Sequence, residues 1–207
     1  MEIEQIFNNI KFKLNPEEDY RKAYLFRLKK GLFKLINLDR KFLFDNCIIK
    51  KEFENIKLKN ILLKIDSMST YAIGHIVNQI CRKLSDDQIY LNIGCWKGFT
   101  LVSGMIDTNC KVIGVDNFAR YGVIERDRNY TFVQGDLTDP IFVDEIMEGI
   151  DGVVQAAALI YGVGGFHKYP ADILAKDVVL HQNILCLHML YLSKVLKLLR
   201  QKVLRKY

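Results

Sequence analysis

Residues 89–116, IYLNIGCWKGFTLVSGMIDTNCKVIGVD, decide how the rest of the chain is read. Ile89-Tyr90-Leu91-Asn92-Ile93 is an apolar run of strand length, and Gly94-Cys95-Trp96-Lys97-Gly98 follows at once. Phe99 to Ile106 has helical spacing, and Lys111 to Val115 is a second apolar strand ending in Asp116. The alternation continues outward. Tyr130 to Val133 reads as a third strand, followed by Gly135-Asp136. Pro140 opens a helix through about Met147, since proline suits a first helical position. Asp151 to Gln155 is a fourth strand, followed by Ala156-Ala157-Ala158, and a long helix runs from about Ala171 into the 190s.

Near-continuous apolar strands alternating with helices predict a buried parallel sheet. Right-handed crossovers then set the strand order 3-2-1-4. The expected fold class is α/β: a truncated, Rossmann-like parallel sheet with a helical N-terminal extension. Three parts follow, namely a basic helical extension over 1–66, a nucleotide-cofactor-binding domain over 67–190 and a basic tail over 191–207. In the extension, Pro16 after Asn15 and before Glu17-Glu18-Asp19 marks a helix start. Tyr20, Tyr24, Leu25, Leu28, Leu32 and Leu35-Ile36 give that helix an apolar face. A second helix, capped by Ser67 or Ser69 and running to about Leu84, would bury Tyr71, Ile73, Ile76, Val77, Ile80 and Leu84.

Composition narrows the classes of function. Of the 207 residues 50% are apolar and 26% charged, which suits a globular domain and not a disordered chain. The charge is uneven. Residues 1–64 hold 15 Lys/Arg against nine Asp/Glu, 65–188 hold nine against 15, and 189–207 hold six against none. The basic ends read as solvated helix faces, because no nucleic-acid-binding motif accompanies them. No apolar run approaches the roughly 18 residues that span a membrane, and the N-terminus does not read as a signal peptide. Five scattered cysteines without CxxC, and four histidines without HExxH, predict a reduced, cytoplasmic protein without a metal site.

In a doubly wound sheet the ligand lies at the carboxyl ends of the strands, where their order reverses. The residues expected there are Gly94, Cys95, Trp96, Gly98, Asp116, Asn117, Asp136, Leu137, Ala156, Ala157 and Ala158. Glycines let backbone approach a ligand. Asp116, 22 residues past Gly94, can accept both hydroxyls of a ribose diol. Asp136 can reach an adenine amino group. A dinucleotide loop wants G-x-x-G-x-x-G, but the second and third glycine places hold Lys97 and Thr100. On the loop alone a phosphate-free cofactor, S-adenosylmethionine, is favoured over NAD(P).

Two resemblances meet in the second strand. From about Tyr71 to Phe118 the residues YAIGHIVNQICRKL, IYLNIGCWKGFTLVSGMI and KVIGVDNF resemble a class I SAM-dependent methyltransferase acting on small molecules. That likeness implies donor binding by Gly94 and Gly98 and ribose binding by Asp116. From about Val112 to Asn183 the chain resembles the extended short-chain dehydrogenase/reductase family, of the NAD-dependent epimerase/dehydratase kind that acts on nucleotide sugars. VIGVDNFARYGVIERD, FVQGDLTDP, DGVVQAAALIYGVGGFHKYPADILAKD and HQNIL carry it. It implies Asp116 and Asn117 at the adenosine ribose, Asp136 and Leu137 at the adenine, and Ala156–Ala158 on the nicotinamide side. It also implies a loop of Gly164, Gly165 and His167 facing the substrate. The chain therefore reads as a chimera of the two families.

The departures bear on activity. That reductase family needs Tyr-x-x-x-Lys, but Tyr191 and Lys194 are three apart, and no tyrosine in the back half has a lysine four residues on. Ser193, the one serine after Ser103, does not resemble the family's serine after strand 5. Gln155-Ala156-Ala157-Ala158, where a methyltransferase would place an acid or histidine, have no acid–base capacity. The expected function is a nucleotide-cofactor-binding protein resembling an NAD-dependent nucleotide-sugar epimerase/dehydratase and catalytically incomplete. The alternatives are a small-molecule methyltransferase and a non-enzymatic remnant. A small-molecule substrate, a nucleotide sugar among the candidates, and self-association are the expected partners; nucleic acid is not.

Overall fold

A computed structural model describes residues 3–12, 28, 44, 47–67, 69–119, 130–159 and 167–186. Most of the helix expected after Pro16, the loop residues Tyr121, Tyr161, Gly164 and Gly165, and the tail 191–207 lie outside the described residues. The chain forms two compact units. One comprises Met1–Tyr90 and Cys95–Val112, the other Leu91–Gly94 and Ile113–Tyr207.

The first unit begins with α1 (Ile3–Asn8) and β1 (Ile10–Phe12), which pairs antiparallel with β2 (Cys47–Ile49). These strands stand in a stretch read as helical. Each is three residues long, too short for a period-2 pattern to show. Leu28, expected on an apolar face, is helical but exposed. After a 3-10 turn (Lys51–Phe53) come α2 (Ile56–Lys64) and α3 (Tyr71–Cys81), and after the glycine turn α4 (Phe99–Met105). Asn55 caps α2 by accepting the Leu58 N–H at 2.9 Å. The core gathers Ile6, Phe44, Leu58, Leu62, Tyr71 and Phe99. The Tyr71 phenol donates to the Asn55 carbonyl at 3.0 Å, so its one polar atom is satisfied.

α3 departs from the expected pattern in two ways. It starts after Thr70 rather than at Ser67 or Ser69, and Thr70 makes no side-chain cap. Ile73 is 44% exposed, whereas His75, Asn78 and Gln79 are buried. Of these three, Asn78 is inside because it supplies hydrogen bonds to the end of α4. Asn78 donates to the carbonyls of Ser103 (2.9 Å) and Ile106 (2.7 Å), and Thr108 donates to Gly104 O at 2.6 Å. Carbonyls at a helix C-terminus lack partners of their own, so a buried asparagine completes them. Gly74 is required here, since a Cβ would collide with Leu62.

The second unit is built on a sheet whose strands are β3 (Ile89–Ile93), β4 (Lys111–Asp116), β5 (Thr131–Gln134) and β6 (Gly152–Gln155). The order is β5-β4-β3-β6 and the sheet is parallel, as the alternation predicts. β4 and β5 pair Ile113 with Thr131 through to Asp116 with Gln134. The residues of β3 and β4 inside this unit are Leu91–Ile93 and Ile113–Asp116. α5 (Pro140–Met147) starts where Pro140 predicts, with Asp139 accepting the Ile141 N–H at 2.9 Å. It buries Val143 and Met147, one turn apart, against Leu91, Ile93 and Val115. Residues 170–186 form a further helix, α6, which adds Ile184 to this core.

His75 gives this architecture an acid limit. Its ring is 1% exposed, and its Nδ1 has no hydrogen-bond partner among the described residues. Burial, and secondarily Arg82, lower its pKa from 6.5 to about 4. Above pH 6.5 the ring is neutral in both folded and unfolded chains and pH has no effect through it. Between pH 6.5 and about 4 the unfolded chain binds the proton and the folded chain does not. Stability then falls by up to about 1.4 kcal/mol per pH unit. Urea denaturation at pH 7.5, 6 and 5 is expected to show this decline in the wild-type chain and a shallower one in His75→Gln.

Candidate functional site

The site is built from the carboxyl ends of the strands in the second unit. Gly94 follows β3 with φ +81°. Its N–H donates to Val115 O at 2.8 Å, and Ala156 N donates to Ile93 O at 2.8 Å. A Cβ on Gly94 would lie 2.5 Å from Ala157 Cα and 2.7 Å from the Ala156 carbonyl carbon. Two backbones therefore meet where the strand order reverses, and only glycine permits both the contact and the dihedral.

Each neighbouring strand ends in a side-chain-stabilised turn. Asp116 Oδ1 accepts the Phe118 N–H at 2.9 Å, and Asn117 Oδ1 accepts the Ala119 N–H at 3.0 Å. Asp136 Oδ1 accepts the N–H (2.9 Å) and hydroxyl (3.0 Å) of Thr138. A carboxylate has about four acceptor positions, so an acid of this kind can bond its turn and a ligand hydroxyl together. Gly135 N donates to Asp116 O at 3.3 Å, so the two acidic turns are adjacent. Phe118 takes a left-handed conformation (φ +57°) and stacks on Phe132, centroids 5.1 Å apart. That stack holds the turn after Asp116 on β5.

The other expected residues are placed unevenly. Asp136, Asn117, Ala156 and Ala158 are exposed and Asp116 is half-buried. Leu137 is buried in the core, so its side chain faces inward and its backbone is the part left at the turn. Gln155, placed at the end of the fourth strand by the sequence but given no role there, positions its neighbours. Its amide donates to Ala157 O and accepts from Ala157 N, both at 3.1 Å, which fixes the backbone of the alanine run. A strand-terminal glutamine carries no periodic signal that could have marked it.

Cys95, Trp96 and Gly98 belong to the first unit. Cys95 and Gly98 are buried and Trp96 is half-buried. Gly98 N donates to Cys95 O at 2.6 Å, closing a turn in which Trp96 (φ +41°) and Gly98 (φ +86°) are both left-handed. Lys97, which fills the place of the second glycine, pairs with Asp66 and lies 5.5 Å above the Trp96 ring. Its bulk is thereby held by neighbours within that unit. Burial raises Cys81 and Tyr90, and the Lys57 ammonium, with Asn55, lowers Asp107. These shifts accompany packing and surface pairing. Among the described residues no group of His, Cys, Asp and Glu could hold a metal ion.

The profile of the NAD dependent epimerase/dehydratase family matches residues 96–195, just under half of the chain. The match begins at Trp96 and so takes in the glycine turn as well as the segments from Val112 onward. Three solved structures are similar. The epimerase Mth375 of Methanothermobacter thermautotrophicus is 21% identical, covers 56% of this chain and has a TM-score of 0.44. The Bordetella bronchiseptica enzyme WbmH, solved in complex with NAD+, is 23% identical over 47% of the chain, with a TM-score of 0.37. Pen from Bacillus thuringiensis is 21% identical over 47%, with a TM-score of 0.38. The chain covers 35%, 33% and 32% of these structures respectively, about a third of each. No curated protein matches it.

Two adjacent turns of the second unit carry carboxylates, and that acceptor chemistry suits a ligand with paired hydroxyls such as the adenosine half of a dinucleotide.

Gly94→Ala tests the backbone crossing. Both the dihedral and the contact with Ala156–Ala157 oppose it, and the expected loss is about 3 kcal/mol or more. Urea denaturation would read the loss as a lowered midpoint. A change under about 0.5 kcal/mol, ordinary for surface sites, would show that the strands do not meet there.

Proposed function

We propose that this chain binds NAD(P) through its second unit, as a nucleotide-cofactor-binding protein of the epimerase/dehydratase kind. One observation carries the proposal: β4 and β5 pair in parallel up to Asp116 and Gln134, so two acidic turns stand side by side next to the reversal of strand order. In this reading Asp116 and Asn117 bind the adenosine ribose. Asp136 and the Leu137 backbone bind the adenine, and Ala156–Ala158 line the nicotinamide side. Gly94 lets the strands meet beneath them. A carboxylate at Asp116 accepts two ribose hydroxyls and repels a 2′-phosphate, which favours NAD over NADP. The family resemblance makes a nucleotide sugar the proposed class of substrate. The scattered cysteines make the cytoplasm the proposed location.

When bound, the dinucleotide supplies a hydride acceptor. The chain's own contribution is binding and orientation. Its 207 residues contain no Tyr-x-x-x-Lys, and Ala156–Ala158 can neither give nor take a proton. We therefore propose binding without turnover by this chain. The S-adenosylmethionine reading rests on the missing glycines at 97 and 100 and is the competing arm of the test.

Thermal unfolding with NAD, NADP, S-adenosylmethionine and S-adenosylhomocysteine separates them. A ligand at about 100 times its Kd stabilises the native state by roughly 2.7 kcal/mol, several degrees for a chain of this size. NAD is expected to raise the midpoint more than NADP, and Asp116→Ala to abolish the difference. A shift with the methyl donor alone would overturn the proposal.

A further inference from the structure

Helix α6 (170–186) meets the second unit through Ile173 and Ile184, both 6% exposed, and Leu180 between them. The 173–177–180–184 spacing draws one inward stripe, so Asp177 falls on it and Asn183 lies beside it. Both are half-buried. Polar groups on the inner face of a helix are costly unless bonded. Neither is spent on its own helix. Asp177 Oδ1 accepts the Leu159 N–H at 2.7 Å, and Asn183 Nδ2 donates to the Leu137 carbonyl at 2.8 Å. The two bonds reach across 18 and 46 residues of sequence.

Where they land is informative. Leu159 directly follows Ala156–Ala158, and Leu137 directly follows Asp136. One face of one helix thus holds the turns after two strands: Asp177 at the residue beyond Ala156–Ala158, and Asn183 at Leu137, whose backbone is itself proposed to contact the ligand. We infer that Asp177 and Asn183 are positioning residues for the nucleotide site: Asn183 sets the adenine-side turn and Asp177 the nicotinamide-side run. The inference rests on the dinucleotide reading and extends it to residues that touch no ligand. The Asp177 bond is charge-assisted and the stronger of the two. The Asn183 bond satisfies a carbonyl next to a buried leucine, which would otherwise stay unpaired.

The two roles separate with a ligand that carries only the adenosine half. AMP and NAD are titrated calorimetrically into the wild-type chain, Asp177→Ala and Asn183→Ala. Asn183→Ala is expected to weaken both ligands about tenfold, the loss of one useful hydrogen bond. Asp177→Ala is expected to weaken NAD about tenfold and leave AMP within about twofold of wild type. The near-isosteric Asp177→Asn retains an acceptor and should recover most of the NAD affinity. Asn183→Asp loses the donor and should behave as Asn183→Ala. Amide hydrogen exchange at Leu159 checks each variant for an intact fold, with α5 protected and only the released turn exposed. If the wild-type chain binds and the variants bind equally, the positioning role is wrong and the dinucleotide reading survives. The role is also wrong if Asp177→Ala weakens AMP and NAD alike. If the wild-type chain binds neither ligand, the dinucleotide reading fails and the assignment with it.

Discussion

The second unit depends on the missing side chain of Gly94. At that residue β3 ends between two neighbours, its N–H directed to Val115 on one side and the Ile93 carbonyl taken by Ala156 on the other. A Cβ would enter the backbone of Ala156–Ala157. The reversal of strand order therefore closes to backbone contact at the point where the chain leaves β3. A parallel sheet with this order otherwise tends to open a crevice at its carboxyl edge. Here the floor of that crevice is backbone, and the groups above it are whatever the turns after β4, β5 and β6 present.

Those turns share a construction. Asp116, Asn117, Asp136 and Gln155 each bond the backbone two residues on, and Asp139 does the same as the cap of α5. Short polar side chains that bond their own backbone fix a turn without help from the core. The carboxyl edge is thus rigid on local grounds before packing contributes. Packing is then added from outside by the Phe118–Phe132 stack and from beneath by Leu137. An acid already ordered by its own turn suits a ligand with paired hydroxyls, because it does not have to be reordered on binding.

The second unit was largely legible in the sequence, and for a physical reason. Strands buried on both faces read as unbroken apolar runs, so Ile89–Ile93 and Lys111–Asp116 are found to the residue. Pro140 and Asp139 mark the start of α5 through chemistry that needs no tertiary information. The first unit was less legible. β1 and β2 are three residues long and their pairing is non-local. His75, Asn78 and Gln79 are buried by partners on other elements, which periodicity does not report. The site residues divide in the same way. Acids at strand ends announce themselves by position. Gln155, Asp177 and Asn183 act through backbone that only the fold brings to them.

Binding and turnover draw on different parts of such a sheet. The residues gathered at the carboxyl edge here are hydrogen-bond acceptors, small side chains and backbone. Proton transfer needs a group whose pKa is matched to the task and which reaches the reacting atom. In the first unit burial raises the pKa of Cys81 and Tyr90 and lowers that of His75 on α3, and hydrogen bonds lower those of the surface carboxylates Asp87 and Asp107. The matched stretch 96–195 holds both acidic turns but begins after Gly94, and it contains no Tyr-x-x-x-Lys.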